Sequence, residues 1–423
     1  MQNILIHNLG PVNDCNIDIK NFTVLTGTQA SGKSTLSKSI FFFKSITEIL
    51  YKLILKNSPA DNSLETAWLK NMLIREIRTT FLDTFGSTWC MAPDMRLKFN
   101  YDDARHIEIT LRDAPEGPNY IWVILSAEII RFLSELEKQR MDDPTELSKV
   151  LRNFFGDSEE VVYIPAGRSL ITLLSSQLGY IYSTMDDEAK RSLDNCTKNY
   201  LERILRIKSF FSESYTKLIW EKYTAGRITA EKKKFLNELA EMIQLILKGE
   251  YVSVNSEERL NIASDKYVKL NYASSGQQEI VWILNVLFYY VINDQKAFFI
   301  VEEPEAHLYP DAQKAVAQFL ARIANSGNSM LITTHSPYIL AEFNNLLYAD
   351  KMKGTLDNAA LSGIIRKDEW LDFDKFSAYF LSEGNVNDCC DTEFRSIKNE
   401  VIDDASADIN FEFDNIVALQ DED

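Results

Sequence analysis

The run Gly27-Thr28-Gln29-Ala30-Ser31-Gly32-Lys33-Ser34 fits the pattern G-x-x-x-x-G-K-S/T. Glycines let such a backbone curl into a nest of N–H donors, and a helix starting there aims the positive end of its dipole at the same place. Lys33 adds a point charge suited to β and γ phosphates, and Ser34 a hydroxyl for Mg²⁺. The turn from Gly27 through Thr35, with Gln29, Ala30, Ser31 and Gly32 between, reads as a nucleotide-phosphate cradle.

Phe298-Phe299-Ile300-Val301 is an apolar run that ends in Glu302-Glu303-Pro304-Glu305-Ala306-His307. Beside a phosphate cradle, a carboxylate at a buried strand end can hold Mg²⁺ through its waters, and the next residue can orient an attacking water. Alternation along a strand sends the two side chains different ways, so Glu302 and Glu303 can take separate roles. Without the cradle, two glutamates before a proline are an ordinary solvated strand end.

Two more strand or turn ends carry polar groups. Ala273-Ser274-Ser275-Gly276-Gln277-Gln278-Glu279 precedes an apolar helix, so Ser274 and the backbone around Gly276 present donors at a helix N-terminus. The alternative for Ser274 is a plain N-cap. Thr333-Thr334-His335-Ser336-Pro337 sets a histidine at the end of another apolar run, with Ser336 as N-cap and Pro337 at the first helical position.

The elements that must hold these groups follow from periodicity. Strand patterns cover residues 3–7, 16–19 and 22–25, the last running into the glycine turn. Leu36, Ile40, Phe43, Ile46, Leu50 and Leu53 then form one helical stripe. A second helical pattern covers 63–85, and 95–101, 106–111 and 120–125 read as an antiparallel lobe around turns such as 115–118. Helical patterns dominate 127–250, broken by a buried-strand run at 161–164 before Pro165. Beyond 251, strands and helices alternate, with strands apolar on both faces at 297–301 and 330–333, which argues for a covered parallel sheet. A short strand pattern lies at 376–381. No heptad seam persists, so a coiled-coil arm is not expected.

Composition bounds the rest. The chain has 423 residues, 45% hydrophobic and 25% charged, enough for a large folded core. Lys and Arg number 45 against 62 Asp and Glu, a formal charge of −17, so nucleic acid would need a local basic patch such as Lys232-Lys233-Lys234. Nine of the carboxylates sit in the last 24 residues, Glu400 to Asp423, a stretch without Lys or Arg. The longest apolar run, 280–292, is too short for a hydrocarbon core of about 30 Å. No secretory leader is evident at the N-terminus, and five scattered cysteines suit a reducing cytoplasm.

In this order, the GTQASGKST loop, the SSGQQ turn, FFIVEEPEAHLYP and TTHSP resemble the Walker A, signature, Walker B and switch-histidine motifs of ABC-type ATPases. Within that superfamily EEPEAHL and ITTHSPYIL look like the OLD-like branch, relatives of RecF and SMC proteins that include ATPase subunits of bacterial anti-phage systems. The resemblance covers residues 1–55 and 264–347 well, extends to the VVYIPAGRS run at 161–169, and says little about the rest of the middle.

It implies an α/β fold: an ABC-type P-loop ATPase head with a mainly parallel sheet, an antiparallel β lobe and an inserted helical lobe. The divisions would be 1–125 for the first part of the head, 126–255 for the helical insertion, 256–350 for the second part and 351–423 for a short strand segment and acidic tail. It also implies a homodimer with two ATP molecules sandwiched head to head. Lys33 and Ser34 would hold phosphates and Mg²⁺, Glu302 would stand on the metal side, and Glu303 would polarise the hydrolytic water. Ser274, Gly276 and Gln277 would reach the γ-phosphate of the other protomer, and His335 that of its own. Glu302 stands where Asp is commoner, Ser275 replaces the first signature glycine, and no loop glutamine linking the metal to the helical lobe is evident. Slow or partner-dependent turnover is the corresponding expectation.

The expected function is an ATP-hydrolysing dimer that gates a toxin or nuclease encoded nearby in anti-phage defence, with no membrane partner. Rival readings are a RecF-type DNA-repair ATPase, with DNA across the paired heads, and a scaffold whose nucleotide is scarcely turned over. Arg168 stays open between a phosphate or dimer contact and a salt bridge, and His307 between interface and packing. Asp372-x-Asp374 with Ser382-Glu383-Gly384 has a superficial likeness to Toprim nuclease motifs, in reversed order.

Overall fold

Phe298 and Ile300 point to one side of their strand and Phe299 and Val301 to the other, and all four are fully buried or nearly so. That burial on both faces requires helices above and below. The computed structural model of the protein describes residues 2–56, 67–114, 117–138, 143–156, 159–169, 171–172, 184, 193–254, 257–263, 265–402 and 411.

In chain order the elements are β1 (Gln2–Leu9), β2 (Val12–Ile19), β3 (Phe22–Gly27), α1 (Lys33–Lys56), α2 (Trp68–Phe85), β4 (Arg96–Asn100), β5 (His106–Ala114), β6 (Gly117–Leu125), α3 (Ala127–Lys138), α4 (Pro144–Phe155) and β7 (Glu160–Ile164). Then come α5 (Asn195–Ile207), α6 (Tyr215–Thr224), α7 (Ala230–Leu247), β8 (Glu250–Val254), β9 (Glu257–Ala263), β10 (Lys266–Lys269), α8 (Ser275–Ile292) and β11 (Ala297–Glu302). The chain continues through α9 (Pro310–Asn325), β12 (Ser329–Thr333), α10 (Pro337–Lys351), α11 (Asn358–Ser362), β13 (Phe376–Ser382), β14 (Asn385–Asp388), β15 (Cys390–Asp391) and β16 (Ser396–Ile397).

The fold is α/β. One 11-stranded sheet runs β6-β5-β4-β1-β2-β14-β13-β3-β12-β11-β7, and β8–β10 form a small antiparallel sheet. The strands β13, β3, β12, β11 and β7 are mutually parallel, whereas β6, β5, β4, β1 and β2 pair antiparallel. The expected parallel sheet and β lobe are thus one continuous mixed sheet. Two cores flank it, one with α1–α4 and the other with α5–α10.

Two features of this arrangement set up the site. Strand β12 lies between β3 and β11, in register Leu25 to Thr333 to Glu302, so the ends of all three strands meet at one edge. On the other flank of β3 is β13, which the sequence presented only as a short strand in a C-terminal segment. Its Leu381 carbonyl accepts the Thr28 N–H at 3.2 Å and lies so close to Gly27 that no Cβ fits there. At φ +140°, with no room for a side chain, position 27 requires glycine.

The helical pattern expected from residue 63 begins, within the described residues, at Trp68. Residues 115–116 and the acidic tail, apart from 400–402 and 411, lie outside the described residues. Among the described residues no helix is long and apolar enough to cross a membrane.

Candidate functional site

The P-loop closes on itself through Lys33. Its Nζ donates to the carbonyls of Thr28 at 2.7 Å and Gly27 at 3.1 Å, and to Ser31 Oγ at 3.4 Å. Gly32 (φ +101°) lies against Val12, where a Cβ would come within 2.5 Å of Cγ2. Burial lowers the Lys33 pKa, while the carboxylates of Glu303, Glu305 and Glu302 act to raise it. The three acids at the end of β11 therefore face this ammonium.

Glu302 is buried and held at both oxygens. Ser37 Oγ, one turn along α1 from the exposed Ser34, donates to Oε1 at 3.0 Å, and the Ala166 N–H donates to Oε2 at 3.2 Å. Ser37 Oγ also bonds the Ser34 carbonyl and lies 3.1 Å from the Tyr163 hydroxyl. Residues present thus fit Mg²⁺ beside a triphosphate: a fixed carboxylate, an exposed Ser34 one helical turn from the serine that holds it, and a donor-rich loop.

Glu303 sits in left-handed backbone, at φ +41°. Its N–H donates to the Thr333 carbonyl at 2.9 Å, and its half-exposed carboxylate lies 3.6 Å from His335 Nε2. Burial first, then Lys33, hold the His335 imidazole below its ordinary pKa, against Glu303 and the Gly27 carbonyl. Near pH 7 His335 is a neutral hydrogen-bonding group.

Glu305 carries no role that its motif alone would assign. Its buried Oε1 accepts from Thr334 Oγ1 and from the His335 N–H, both at 2.7 Å, while Oε2 has no hydrogen-bond partner among the described residues. Burial raises its pKa. It joins the turn after β11 to the turn after β12. The only signal for it was its place in Glu-Glu-Pro-Glu, where the two preceding acids had an evident use and the third did not.

Ser274 and Gln277 form a capping box: the Gln277 N–H donates to Ser274 Oγ and the Ser274 N–H to Gln277 Oε1. Gln277 Nε2 also donates to the Leu247 carbonyl at 2.7 Å. Gly276 is packed on the turn after β11, where a Cβ would stand 2.6 Å from the His307 carbonyl oxygen. His307 itself is exposed, in left-handed backbone at φ +59°.

Other open residues resolve into contacts. Arg168 is fully buried and bonds Glu279 and several carbonyls. Lys232 pairs with Asp294 at 3.1 Å and Lys233 sits over the Trp220 and Tyr223 rings, so two lysines of the basic stripe already have partners. Asp374 is bound by Arg395, and Asp372 caps a 3-10 turn. Among the described residues no group of three or more His, Cys, Asp and Glu is placed to hold a metal.

The phosphate cradle, the carboxylates at the end of β11 and the mixed sheet are similar to those of ATP-binding P-loop ATPases of AAA/ABC type, and parts of the chain match such proteins. Residues 169–340 match the AAA ATPase domain family. Protein ea59 of Escherichia phage lambda is 27% identical over 173 residues, 38% of this chain and 32% of that protein. The probable ABC transporter ATP-binding protein p29 of Mesomycoplasma hyorhinis is 24% identical over 159 residues, 37% of this chain and 60% of that protein. The phosphonates import ATP-binding protein PhnC 2 of Oceanobacillus iheyensis is 34% identical over 98 residues, 23% and 35% of the two chains. The chain thus spans between a third and three-fifths of these curated relatives. Among solved structures, an SMC head bound to the C-winged helix domain of ScpA aligns over 91% of this chain and 95% of its own, at TM-score 0.42 and 12% identity. The SMC head domain from Thermotoga maritima aligns at TM-score 0.35 and 9% identity, over 91% and 97%.

Proposed function

We propose that the protein hydrolyses ATP as a head-to-head dimer, with Lys33, Ser34, Glu302, Glu303 and His335 serving one nucleotide and Ser274, Gly276 and Gln277 serving that of the opposite protomer. The observation that carries the reading is the 3.0 Å bond from Ser37 to Glu302, which sets the β11 carboxylates against the first turn of the P-loop helix. The P-loop amides and Lys33 bind the β and γ phosphates. Ser34 and Glu302 would hold Mg²⁺, which when bound would offset the phosphate charge. Glu303 orients the attacking water and takes its proton. Neutral His335 steadies the γ-phosphate without adding a competing acid.

Closure of the dimer is a two-state switch: contacts through ATP exist only in the closed form, and hydrolysis removes them. The output fits gating of a protein effector, a toxin or nuclease in anti-phage defence. That part rests on the OLD-like wording of the motifs.

Phosphate release and light scattering in ATP and Mg²⁺ test the reading. Lys33→Ala should abolish release, and Glu303→Gln should lower it at least about 100-fold while trapping an ATP-bound dimer. A Glu303→Gln protein that stays monomeric refutes the sandwich. Undiminished turnover by Lys33→Ala refutes the site.

A further inference from the structure

Arg168, in helical conformation shortly after β7, is 0% exposed and its partner Glu279, near the start of α8, 2%. Nη1 donates to the carbonyls of Pro165 and Glu302, both at 2.6 Å, and Nη2 to that of Glu303 at 2.9 Å. Nε donates to the Glu279 carbonyl at 2.9 Å. The Glu279 carboxylate in turn accepts the backbone N–H groups of Arg168 and Ser169, each at 2.9 Å. Arg168 thus grips the backbone of the two carboxylates on one side and the start of α8 on the other.

The grip continues into the signature turn. Thr172 Oγ1 donates to the Gln278 carbonyl at 2.8 Å. Gln278 Nε2 donates to the carbonyls of Leu270, Asn271 and Ala273, the residues leading into Ser274. Gly276 closes the circuit by its contact with the His307 carbonyl. A buried guanidinium is tolerable only while these acceptors surround it, so the parts move together or the charge loses its partners.

We infer that Arg168 and Glu279 form a positioning strut that couples the hydrolytic carboxylates of one nucleotide site to the signature turn serving the other. This rests on the dimer proposed above. A shift of the Glu302 and Glu303 backbone on closure or phosphate loss is carried through Arg168 to the N-terminus of α8. Each site thereby reports its state to its neighbour without Arg168 touching nucleotide.

Two measurements on the full chain separate the strut from the dimer. Hydrogen exchange without nucleotide addresses the strut. Lysine lacks the planar fork that serves several carbonyls at once. Arg168→Lys, and the isosteric Glu279→Gln, should therefore speed exchange at both 270–279 and 303–308 by about tenfold, with 27–36 unchanged. Faster exchange confined to 165–172 overturns the strut.

A mixed dimer addresses the coupling. A Lys33→Ala protomer paired with a Ser274→Arg protomer leaves one complete site, whose carboxylates come from the second chain and whose signature turn comes from the first. Arg168→Lys placed in the first chain should lower phosphate release about tenfold, although that site's own carboxylates and Arg168 are untouched. An unchanged rate overturns the coupling. A parent mixture that releases no phosphate overturns the dimer reading, and the coupling with it, while exchange still decides the strut.

Discussion

Ser37 on α1 donates a 3.0 Å hydrogen bond to Glu302 at the end of β11, 265 residues further along the chain. One bond thus ties the helix that carries the P-loop lysine to the strand that carries the acids. Ser37→Ala should remove a hydrogen bond to a charged acceptor, about 1.5–3 kcal/mol in buried surroundings. We expect the Mg²⁺ concentration for half-maximal phosphate release to rise at least about fivefold. An unchanged Mg²⁺ titration would separate Glu302 from the metal.

Glu305 gives a stability prediction with a definite sign. Its folded pKa is raised above the ordinary 4.5, so the unfolded chain releases this proton first as pH rises. Its contribution is full below about pH 4.5 and is lost as pH climbs through the folded value. Glu305→Gln, which cannot ionise, should therefore gain stability over wild type between pH 4.5 and 8, read as a growing difference in urea midpoint. A difference independent of pH would show that the carboxyl is not desolvated.

His335 gives the opposite slope. Its folded pKa is lowered, so the unfolded chain binds the extra proton first as pH falls. The stability it supports is present above about pH 6.5 and declines below it. In nucleotide-free protein His335→Gln should flatten that acid-side decline between pH 7 and 5. An identical decline in both proteins would assign it to other groups.

Gly276→Ala sets two effects against each other. In a helix the change normally gains roughly 0.5–1 kcal/mol. Here the new methyl would meet the His307 carbonyl at 2.6 Å and Leu308 Cδ2 at 3.1 Å, and such overpacking costs about 1–3 kcal/mol. We expect net destabilisation in urea, together with loss of turnover. A variant more stable than wild type would mean that α8 and the turn after β11 are not tightly packed.

Arg203 on α5 is buried, pairs with Glu160 of β7 at 2.7 Å and contacts the Tyr290 hydroxyl of α8. It bolts the helical region to the parallel edge of the sheet. Arg203→Met should cost about 3 kcal/mol by leaving Glu160 short of a partner. Urea denaturation tests this, and a loss under about 1 kcal/mol would reduce the pair to a surface-type contact.

Much of the site was legible in the chain because its motifs are local. Gly27 to Thr35, Glu302 with Glu303, and His335 each lie where a strand gives way to a turn, and strand burial at 297–301 and 330–333 is evident from unbroken apolar runs. The helix cap at Ser274 was equally local, and the capping box with Gln277 has that geometry.

What no local pattern carries is which strands lie side by side. That β12 separates β3 from β11, bringing His335 between the P-loop and the acids, depends on residues 22–25 pairing with 330–333 at the far end of the chain. That β13 walls the P-loop beside Gly27 depends on a strand whose short pattern resembles any other. In sequence Arg168 stays open between a phosphate or dimer contact and a salt bridge and nothing marks Glu279 as its partner, and only packing strips the two of water and obliges them to satisfy each other. Residue type determined the chemistry available to each position, whereas long-range burial, which has no local periodicity, decided which of those chemistries meet.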